Sequence, residues 1–493
     1  MACQGGTIDV MLQASRKLDQ LTVTRFIAAL SVVLFHGRQQ LGALQYVPML
    51  TAGPTAVGYF FVLSGFVMAL AYYRPGIPFD FRNYWLARFS RIYPVYILAF
   101  VLTCLHFLSI LSKIKPPKIW ANIFLYQAWV PDYALSFNIA AWSLSVEAFF
   151  YLLLPLLLLW AMRRSARQVI WVSLGFWVIS QLLHAFLMTR LGPDSENFLA
   201  YFPLFHLNSF LFGLAGGIWY LTYPSRLVVS QSWNRICLVA ALGLFLLLLT
   251  LRGYVPAFPR SFSLDVGLLA PLFLIIILTL AMDTSRLSQR LSHTWLVTLG
   301  DASYALYILH VPIRWLFEDL LRLTGQGLAF GVMFSIYLPL LIVLCIFVFK
   351  YIEHPVRDWL RTNPHMLTKI LLDVILILAM IRFSFTLRLG TETSAFLRTE
   401  TFALRVGVAV FFLALLVFRF YVTHSWRSLA LAVLSGAAVL SGFMHLAWKS
   451  GWVEGFPRSI IILIPLLIFA AIYSTRLMLE YFKPRFWNQP KLS

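Results

Sequence analysis

The sequence has few charged residues, and acidic residues are especially scarce. Only 12% of its 493 residues are charged, and 39 Lys and Arg stand against 19 Asp and Glu, a net charge of +20. With 60% hydrophobic residues and a mean hydropathy of +0.81, the composition lies far outside that of soluble domains. The scarcity of charge therefore indicates an integral membrane protein. Because no basic stripe with interleaved aromatics marks a soluble domain, nucleic acid is not an expected partner.

Cysteine is also scarce. The sequence has no CxxC pair, and no cysteine has a neighbouring histidine at metal-ligand spacing. A disulfide framework and a zinc site are therefore not expected, and no metal is predicted. The four cysteines are scattered singly, at Cys3, Cys104, Cys237 and Cys345.

Apolar runs of about 20 residues recur along the chain, and each is long enough to cross a bilayer as a helix. Ten precede the segment "EHPVRDWLRTNPH" at 353–365, which is predicted to be a polar loop, and four weaker ones follow it. The sequence predicts an all-α integral membrane fold, with a ten-helix domain at 18–360 and a C-terminal extension of about four helices at 367–493. The predicted spans are 20–40, 53–73, 89–111, 140–162, 168–189, 201–222, 235–251, 264–283, 296–317, 328–350, 367–386, 404–421, 428–448 and 459–481.

Lys and Arg predict the orientation, because cytoplasmic loops carry their excess. With a cytoplasmic N-terminus, most of these residues fall in inside loops, among them Arg163, Arg164 and Arg167. The polar segment 1–17 then forms a cytoplasmic tail. A cleaved signal peptide is not expected, because Arg25 interrupts the first apolar run. The expected location is the plasma (inner) membrane, with both termini cytoplasmic.

The first span, "TRFIAALSVVLFHGRQQ", carries two side chains that are energetically unfavourable in a bilayer, Arg25 and His36. Eleven residues make about three helical turns, so both side chains lie on one stripe, about 16 Å apart along the axis. One interpretation is an interior channel with a charge at one end and a titratable base at the other. The alternative is that Arg25 reaches the headgroups and His36 caps the helix; the pair alone does not separate the two.

Further ionisable residues lie inside or at the ends of other spans. Glu147 lies near the start of the fourth span, where an ionised carboxylate is energetically unfavourable unless it has a partner. The ninth span, "GDASYALYILHVPIR", places Tyr304, Tyr307 and His310 on one face. In the predicted orientation, His36, Glu147 and His310 fall in the outer half of the membrane. The arginines of spans one and three fall in the inner half.

Two shorter motifs complete the set. Arg88 and Arg91 in "ARFSRIYP" lie one turn apart and suit a phosphate ligand, although positive-inside topology also explains them. The second span carries "GYFFVLSGF", in which the Ser-Gly pair permits close helix approach or a local break. The residues of interest in this motif are Phe60, Phe61, Ser64 and Gly65.

These motifs, taken in order, resemble the membrane acyltransferase 3 family over about residues 18–360. The family's members acylate sugars and other hydroxyl acceptors of envelope or secreted molecules. The resemblance implies a ten-helix core and an acyl-coenzyme A donor, most often acetyl-coenzyme A, that enters from the cytoplasm. It rests on "LDQLTVTRFIAALSVVLFH", "FFVLSG", "RFSR" followed by "IYP", "WSLSVEAFFYLLLP", "GDASYALYILH" and "EHPVR".

The resemblance also implies residue roles. Arg25 and His36 match the family's essential arginine and histidine, and the nucleotide phosphates are expected against Arg88, Arg91 and Arg25. The second-span motif, Phe60, Phe61, Ser64 and Gly65, is expected beside the donor. His36 is expected either to act as general base on the acceptor hydroxyl or to be transiently acylated. Glu147 is expected to take part in catalysis with Arg25 and His36, by orienting or charge-stabilising His36 or His310. The expected substrate-binding or supporting residues are Ser303, Tyr304 and His310, of which Ser303 and Tyr304 donate to the oxyanion or hold helix nine in place.

Two rival functions are left open. A multispan transporter or flippase of a lipid-linked sugar fits many spans with polar groups at mid-depth, but gives no reason for the Arg88 and Arg91 pair. A different membrane acyltransferase class, built on a His and an Asn, is suggested only by His206 and Asn208 in "FPLFHLNSF". The expected acceptor is a carbohydrate or lipid-linked glycan. Its identity, the acyl chain, the role of the extension and the oligomeric state cannot be read from the sequence.

Overall fold

The computed structural model describes most of the chain. The described residues are 18–38, 47–107, 114–223, 230–254, 263–323, 330–363, 365–390 and, between 399 and 487, all except 401–402, 404–405, 408–409, 412–413, 416–424, 450, 452 and 454–458. The predicted tail 1–17 lies outside these ranges, as does most of the predicted span 404–421. Every regular element among the described residues is helical.

The described residues form two compact units. The first comprises 18–106 and 114–358, and the second comprises residue 107 and the described residues from 359 to 487. The helices up to residue 362 are α1 Asp19–Gly37, α2 Gly53–Tyr72, α3 Phe81–His106, α4 Pro116–Ile123, α5 Trp142–Ala161, α6 Ala166–Arg190, α7 Glu196–Tyr201, α8 Pro203–Thr222, α9 Gln231–Tyr254, α10 Ala270–Met282, α11 Arg286–Leu291, α12 Thr294–Asp301, α13 Ser303–Leu323, α14 Phe330–Val348 and α15 His354–Thr362.

Ten helical segments among the described residues are long and apolar enough to cross a membrane. The pair formed by α12 and α13 brings the number to eleven if it is counted as one bent span, and α10 is a shorter apolar helix. The all-helical membrane fold predicted from composition is therefore confirmed. The predicted division into ten spans before residue 360 and about four after it stays a prediction, because this count covers the described residues only.

Two predicted spans are interrupted. The bend of 52° between α12 and α13 falls at Ala302, inside the predicted span 296–317. The predicted span 264–283 begins with a π-helical segment, Leu264–Leu268, in which Gly267 adopts φ 81°, and α10 follows it. This backbone conformation suits glycine, because a side chain there would be strained. Each interruption changes the direction in which the following side chains point.

The polar segment predicted as a loop at 353–365 is largely helical, and that prediction is wrong. A π-helical turn, Phe349–Glu353, joins α14 to α15, so the helix continues to Thr362. The proline of "EHPVR" is the second residue of α15, directly after the π-helical turn, and has no backbone N–H to donate. The helix therefore extends beyond the apolar run that predicted it.

Glycines set the closest helix contact of the first unit, between α2 and α8. A Cβ added to Gly65 would lie 2.1 Å from the backbone oxygen of Phe210. A Cβ added to Gly213 would lie 1.9 Å from the backbone oxygen of Val62. The small residue at position 65 therefore allows the two backbones to touch, as small residues do in membrane helix pairs.

The second unit contains three long helices, α16 His365–Leu389, α17 Trp426–Lys449 and α18 Ser459–Trp487. Helices α17 and α18 contain candidate spans, whereas α16 is absent from them. The apolar core of this unit includes Ile381, Phe385, Phe411 and Ile464. It also holds a buried ion pair, in which Arg476 donates to Asp373 at 2.5 Å.

Candidate active site

A cavity of about 470 Å³ lies within the first unit, bounded by α1, α2, α3, α5, α12 and α13. This volume falls within the usual range of small-molecule sites. The lining begins at the start of α1 and the end of α2, so the cavity occupies the end of the bundle that the sequence predicts to be cytoplasmic. Its polar lining residues are Asp19, Thr22, Arg25, Ser64, Arg74, Arg91, Ser143, Glu147, Tyr151, Asp301, Ser303, Tyr304 and Tyr307.

Arg25 and Arg91 present their guanidinium groups to this cavity. Among the described residues, neither group donates a hydrogen bond or forms an ion pair. Both side chains are only partly exposed. Since each guanidinium carries five N–H donors in a planar fork, the cavity wall holds two unfilled donor sets of the kind that bind phosphate or carboxylate oxygens.

Two carboxylates lie within electrostatic reach of these arginines. They belong to Asp301, at the end of α12, and Glu353, in the π-helical turn after α14. Glu353 is 3% exposed, and its Oε2 atom is buried without a hydrogen-bond partner among the described residues. Such π-helical turns occur often at functional sites. The two carboxylates therefore balance the arginines without capping their donors.

Glu147 lines the same cavity, halfway between its ends. Its Oε1 atom accepts hydrogen bonds from the hydroxyl of Ser64, at 3.3 Å, and from the hydroxyl of Tyr151, one turn further along α5. The structure therefore brings Glu147 together with the second-span motif. It does not bring the carboxylate to His36 or His310, the two partners expected from the sequence.

Arg88 does not share the surroundings of Arg91, although the two lie one turn apart on α3. It is 8% exposed and donates to the sulfur of Met68 at 3.5 Å and to the hydroxyl of Tyr72 at 3.3 Å. Its guanidinium also lies over the rings of Tyr72 and Tyr151, 5.6 and 5.5 Å from their centroids. Arg88 therefore packs behind the cavity wall, against a residue that holds Glu147.

His36 and His310 form a direct pair. Nδ1 of His36 lies 2.9 Å from Nε2 of His310, and the two ring planes are inclined by 27° with centroids 5.0 Å apart. His310 is 2% exposed, and its Nδ1 lies 2.6 Å from the backbone oxygen of Tyr307. Arg314, one turn further along α13, donates to the backbone oxygen of His36 at 2.7 Å. The arrangement fixes the end of α1 and both imidazole rings.

Tyr307 connects the cavity to the histidine pair. Its side chain lines the cavity and contacts Phe60, with ring centroids 5.7 Å apart. Its hydroxyl lies 2.7 Å from that of Ser143, and its backbone oxygen accepts a hydrogen bond from Nδ1 of His310. The α1 residues that line the cavity end at Arg25, three turns before His36. Phe60, Ser143 and Tyr307 therefore form the boundary between the cavity and the two imidazoles.

The remaining predicted site residues have different surroundings. Phe61 and Ser303 line the cavity, and the hydroxyl oxygen of Ser303 is buried without a partner among the described residues. Tyr304 lines it too, but its hydroxyl donates to the backbone oxygen of Ile92 at 2.7 Å and so ties α13 to α3. Gly65 serves the helix contact described above.

His206 and Asn208, the basis of the second rival function, lie in a network that fixes α8. Nε2 of His206 lies 2.9 Å from the backbone oxygen of Ala200. The amide of Asn208 donates to the hydroxyl of Ser180 at 2.8 Å and to the backbone oxygen of Phe205. Neither residue lines the cavity.

Sequence reasoning did not assign roles to several residues of this site. Tyr151 lies at i+4 from Glu147, a spacing that signals contact on a helix. Asp301 and Glu353 stand in the quoted motifs "GDASY" and "EHPVR", where a lone carboxylate beside an apolar run was the available signal. Arg314 lies one turn beyond His310, but its contact with α1 depends on tertiary packing.

Comparison with known proteins identifies the family. The family model described as an acyltransferase domain, of the acyltransferase 3 type, matches residues 18–350. The acyltransferase MdmB of Streptomyces mycarofaciens is 26% identical over 320 residues, which are 60% of this chain and 79% of the relative. A putative acetyltransferase, ORF330 of the Acidianus two-tailed virus, is 26% identical over 66% of this chain and 94% of its own length.

A third relative is the peptidoglycan O-acetyltransferase OatA of Listeria monocytogenes. It is 25% identical over 62% of this chain, and the match spans about half of that relative, 51%. No solved structure matches. Because the family model covers more than half of the sequence, this chain belongs to the acyltransferase 3 family of membrane acyltransferases.

Proposed function

We propose that the protein is a membrane O-acyltransferase that moves an acyl group, most often acetyl, from cytoplasmic acyl-coenzyme A to a hydroxyl of a cell-envelope or exported glycan. It does so from a ten-helix domain in the plasma (inner) membrane with both termini cytoplasmic, followed by an extension of about four helices. One observation carries this proposal. A cavity with two unfilled guanidinium groups meets, at Tyr307, a histidine pair at the other end of the same helices.

The donor end of the reaction is supported by Arg25 and Arg91. Their open N–H groups suit the phosphates of the coenzyme, which need several charged donors. The cavity continues from these arginines past Ser64 and Glu147 to Tyr307 and Phe60. A long thin pantetheine arm laid along it brings the thioester towards the histidine pair. Arg88 supports this wall from behind rather than touching the donor.

The acyl transfer is assigned to His36. As general base, His36 takes the proton of the acceptor hydroxyl while the hydroxyl oxygen attacks the thioester carbonyl. The carbon–sulfur bond then breaks, and the coenzyme A thiolate takes the proton from His36. In the alternative route, His36 attacks first and is transiently acylated, and the acceptor oxygen then takes the acyl group from the imidazole.

The choice of a glycan hydroxyl as acceptor is supported by the relatives. One of them is named a peptidoglycan O-acetyltransferase, a name that includes a glycan acceptor. A second, of which four-fifths aligns with this chain, is named an acyltransferase and supports acyl transfer alone. Glu147, whose carboxylate holds Ser64 and Tyr151, shapes the cavity between donor phosphates and histidines in this scheme. No metal is required by these steps.

The test compares envelope and exported glycans, by mass spectrometry, from cells with the wild-type gene, without it, and with His36→Ala. An acyl mass increment should be present in the first sample and absent from the other two. Arg167→Gln, which changes an exposed arginine, is the matched control and should keep the increment. Wild-type acylation by the His36→Ala protein would refute the assignment. Saturable coenzyme A binding by the purified protein separates the proposal from a lipid-linked sugar transporter, which has no need to bind it.

A further inference from the structure

The hydrogen bonds of the histidine pair fix where their protons lie. Nδ1 of His310 lies 2.6 Å from the backbone oxygen of Tyr307, and a carbonyl oxygen can only accept. Nδ1 of His310 therefore carries a hydrogen. In a neutral imidazole only one ring nitrogen is protonated, so Nε2 of His310 has a lone pair.

The same reasoning extends to His36. Its Nδ1 atom lies 2.9 Å from Nε2 of His310, which can only accept, so Nδ1 of His36 carries the hydrogen of this bond. The Nε2 atom of neutral His36 then has the lone pair. No described residue donates a hydrogen bond to that atom. It is also not among the fully buried polar atoms that lack a partner, so it is accessible from outside the protein interior. The pair leaves one basic nitrogen open.

The neutral state of both rings agrees with their neighbours. The cationic groups nearest the pair are Arg314, which also contacts Glu318 at 3.5 Å, and Arg38, which lies over the ring of Phe35. Among the described residues, no carboxylate forms a hydrogen bond or ion pair with either imidazole. A buried positive charge on His310 would therefore stand without a counter-ion, which is costly in a low-dielectric interior.

We propose that His310 is a positioning residue that sets the tautomer of His36, so that Nε2 of His36 is the nitrogen that acts on the acceptor hydroxyl. The inference rests on the proposed function for its catalytic meaning. His310 takes the place that a carboxylate holds in a catalytic triad, but it is a neutral acceptor. When Nε2 of His36 gains the acceptor proton, the bond from Nδ1 to His310 strengthens and holds the imidazolium in place.

The backbone holds His310 in this role. Its ring is anchored by the carbonyl of Tyr307, one turn earlier on α13, and its own carbonyl accepts from the hydroxyl of Tyr337 on α14. A carboxylate at this position would add a negative charge beside Arg314 and would pair with it. A neutral imidazole instead leaves Arg314 free to bind the backbone oxygen of His36.

The first test is spectroscopic and requires no acyl transfer. The full-length protein, with ¹⁵N-labelled histidines in lipid bilayers at about pH 8, is above the usual titration range of histidine. Nitrogen NMR should show His36 protonated at Nδ1 and unprotonated at Nε2, with a coupling across the hydrogen bond to Nε2 of His310. Loss of signals in His36→Gln and in His310→Gln assigns the two residues among the ten histidines. A His36 ring protonated at Nε2 would overturn the proposal.

The second test separates positioning from mere packing. His310→Met removes the acceptor but keeps an apolar side chain of similar length, so kcat should fall about 100-fold or more while KM for acetyl-coenzyme A changes little. His310→Gln returns a carbonyl oxygen near the position of Nε2 and should recover at least about tenfold of that loss. Equal kcat in the wild-type and Met proteins would overturn the proposal.

The two tests also separate this inference from the proposed function. If His36→Ala kept full glycan acylation, the catalytic role of His36 would fail, but the tautomer would still be read directly from the wild-type spectrum. If the His310→Met protein did not fold, the wild-type spectrum alone would decide whether His310 accepts the hydrogen bond from His36.

Discussion

One charged site in each unit can be compared, and the two sites hold their arginines in different ways. In the first unit, Arg25 and Arg91 line a cavity, and neither has a hydrogen bond or ion pair with another described residue. In the second unit, Arg476 donates to Asp373 at 2.5 Å, and their side chains are 14% and 1% exposed. Both arrangements hold arginines within apolar surroundings, but only Arg476 is in an ion pair with a described carboxylate.

The difference teaches how to interpret a charge inside a membrane protein. In an ion pair, the attraction between the two charges offsets part of the free energy lost when they are removed from water, and the pair serves packing or specificity. For a charge beside a cavity that has no ion-pair partner, a bound ligand of opposite charge can supply this attraction. The first unit is therefore where ligand affinity should respond to substitution, and the second is where stability should respond.

The largest expected effect is on stability, at the ion pair of the second unit. Asp373→Asn removes one partner of a buried pair, which typically lowers the free energy of unfolding by about 3–5 kcal/mol. Thermal unfolding in one fixed detergent should show this loss, while coenzyme A affinity should not change. The double variant Asp373→Asn with Arg476→Gln should recover part of the stability. A loss of coenzyme A affinity in the single variant would break the contrast between the units.

The next largest effect is on donor affinity. Arg91→Gln removes a charged donor from the cavity, and a hydrogen bond to a charged group contributes about 1.5–3 kcal/mol. The dissociation constant of acetyl-coenzyme A should therefore rise about 10- to 150-fold in calorimetry of the purified protein. The melting temperature should change little, because Arg91 makes no hydrogen bond or ion pair with another described residue and Arg25 still faces Glu353. Arg167→Gln is the control, and equal affinities of the two variants would contradict the phosphate role.

Arg88 tests the comparison within the first unit, because its guanidinium has side-chain partners, as that of Arg476 has in the second unit. Arg88→Met removes its contacts with Tyr72 and Tyr151, which we expect to cost about 1–2 kcal/mol of stability. Donor affinity should change much less than in Arg91→Gln. Binding and unfolding measured on the same preparations would test this, and a larger loss of affinity in Arg88→Met would reverse the two roles.

The smallest expected effect is at Tyr304. Tyr304→Phe removes one hydrogen bond, to the backbone oxygen of Ile92, and should lower the free energy of unfolding by about 1 kcal/mol. Transfer rates should stay within a few-fold of wild type. If kcat instead fell about 100-fold with unchanged stability, Tyr304 would be a donor to the developing oxyanion rather than a structural residue.

Much of the fold was accessible from the sequence because bilayer spans are long and apolar. Most long helices of the first unit begin and end near their predicted limits, but α3 begins at Phe81, eight residues before the predicted start. The bends at Ala302 and Gly267 were not predicted, since neither interrupts the apolar run. The helical nature of 354–362 was also missed, because an amphipathic helix at the membrane edge looks like a polar loop in a hydropathy profile.

The candidate site was only partly accessible. Because ionisable side chains are unfavourable in a membrane, the sequence identified Arg25, His36, Glu147 and His310 as candidates. It did not show which of them contact one another. Arg88 and Arg91 share a helix face, and only the packing of Tyr151 separates a buried arginine from one that lines the cavity. The contact of Glu147 with Ser64 likewise depended on where α2 crosses α5, which no local pattern encodes, whereas its contact with Tyr151 follows from the i+4 spacing.

The cavity also sets a condition on how the protein is made. Its lining is drawn from residues as far apart in the sequence as Leu18 and Tyr307. Arg25 is synthesised early, and the chain must grow to Tyr307 before the wall is complete, which takes about 15–60 s at ordinary translation rates. Until then Arg25, and Glu147 once it has been made, face an incomplete cavity wall. We therefore expect the insertion machinery to shelter the first helices from lipid until α13 has entered.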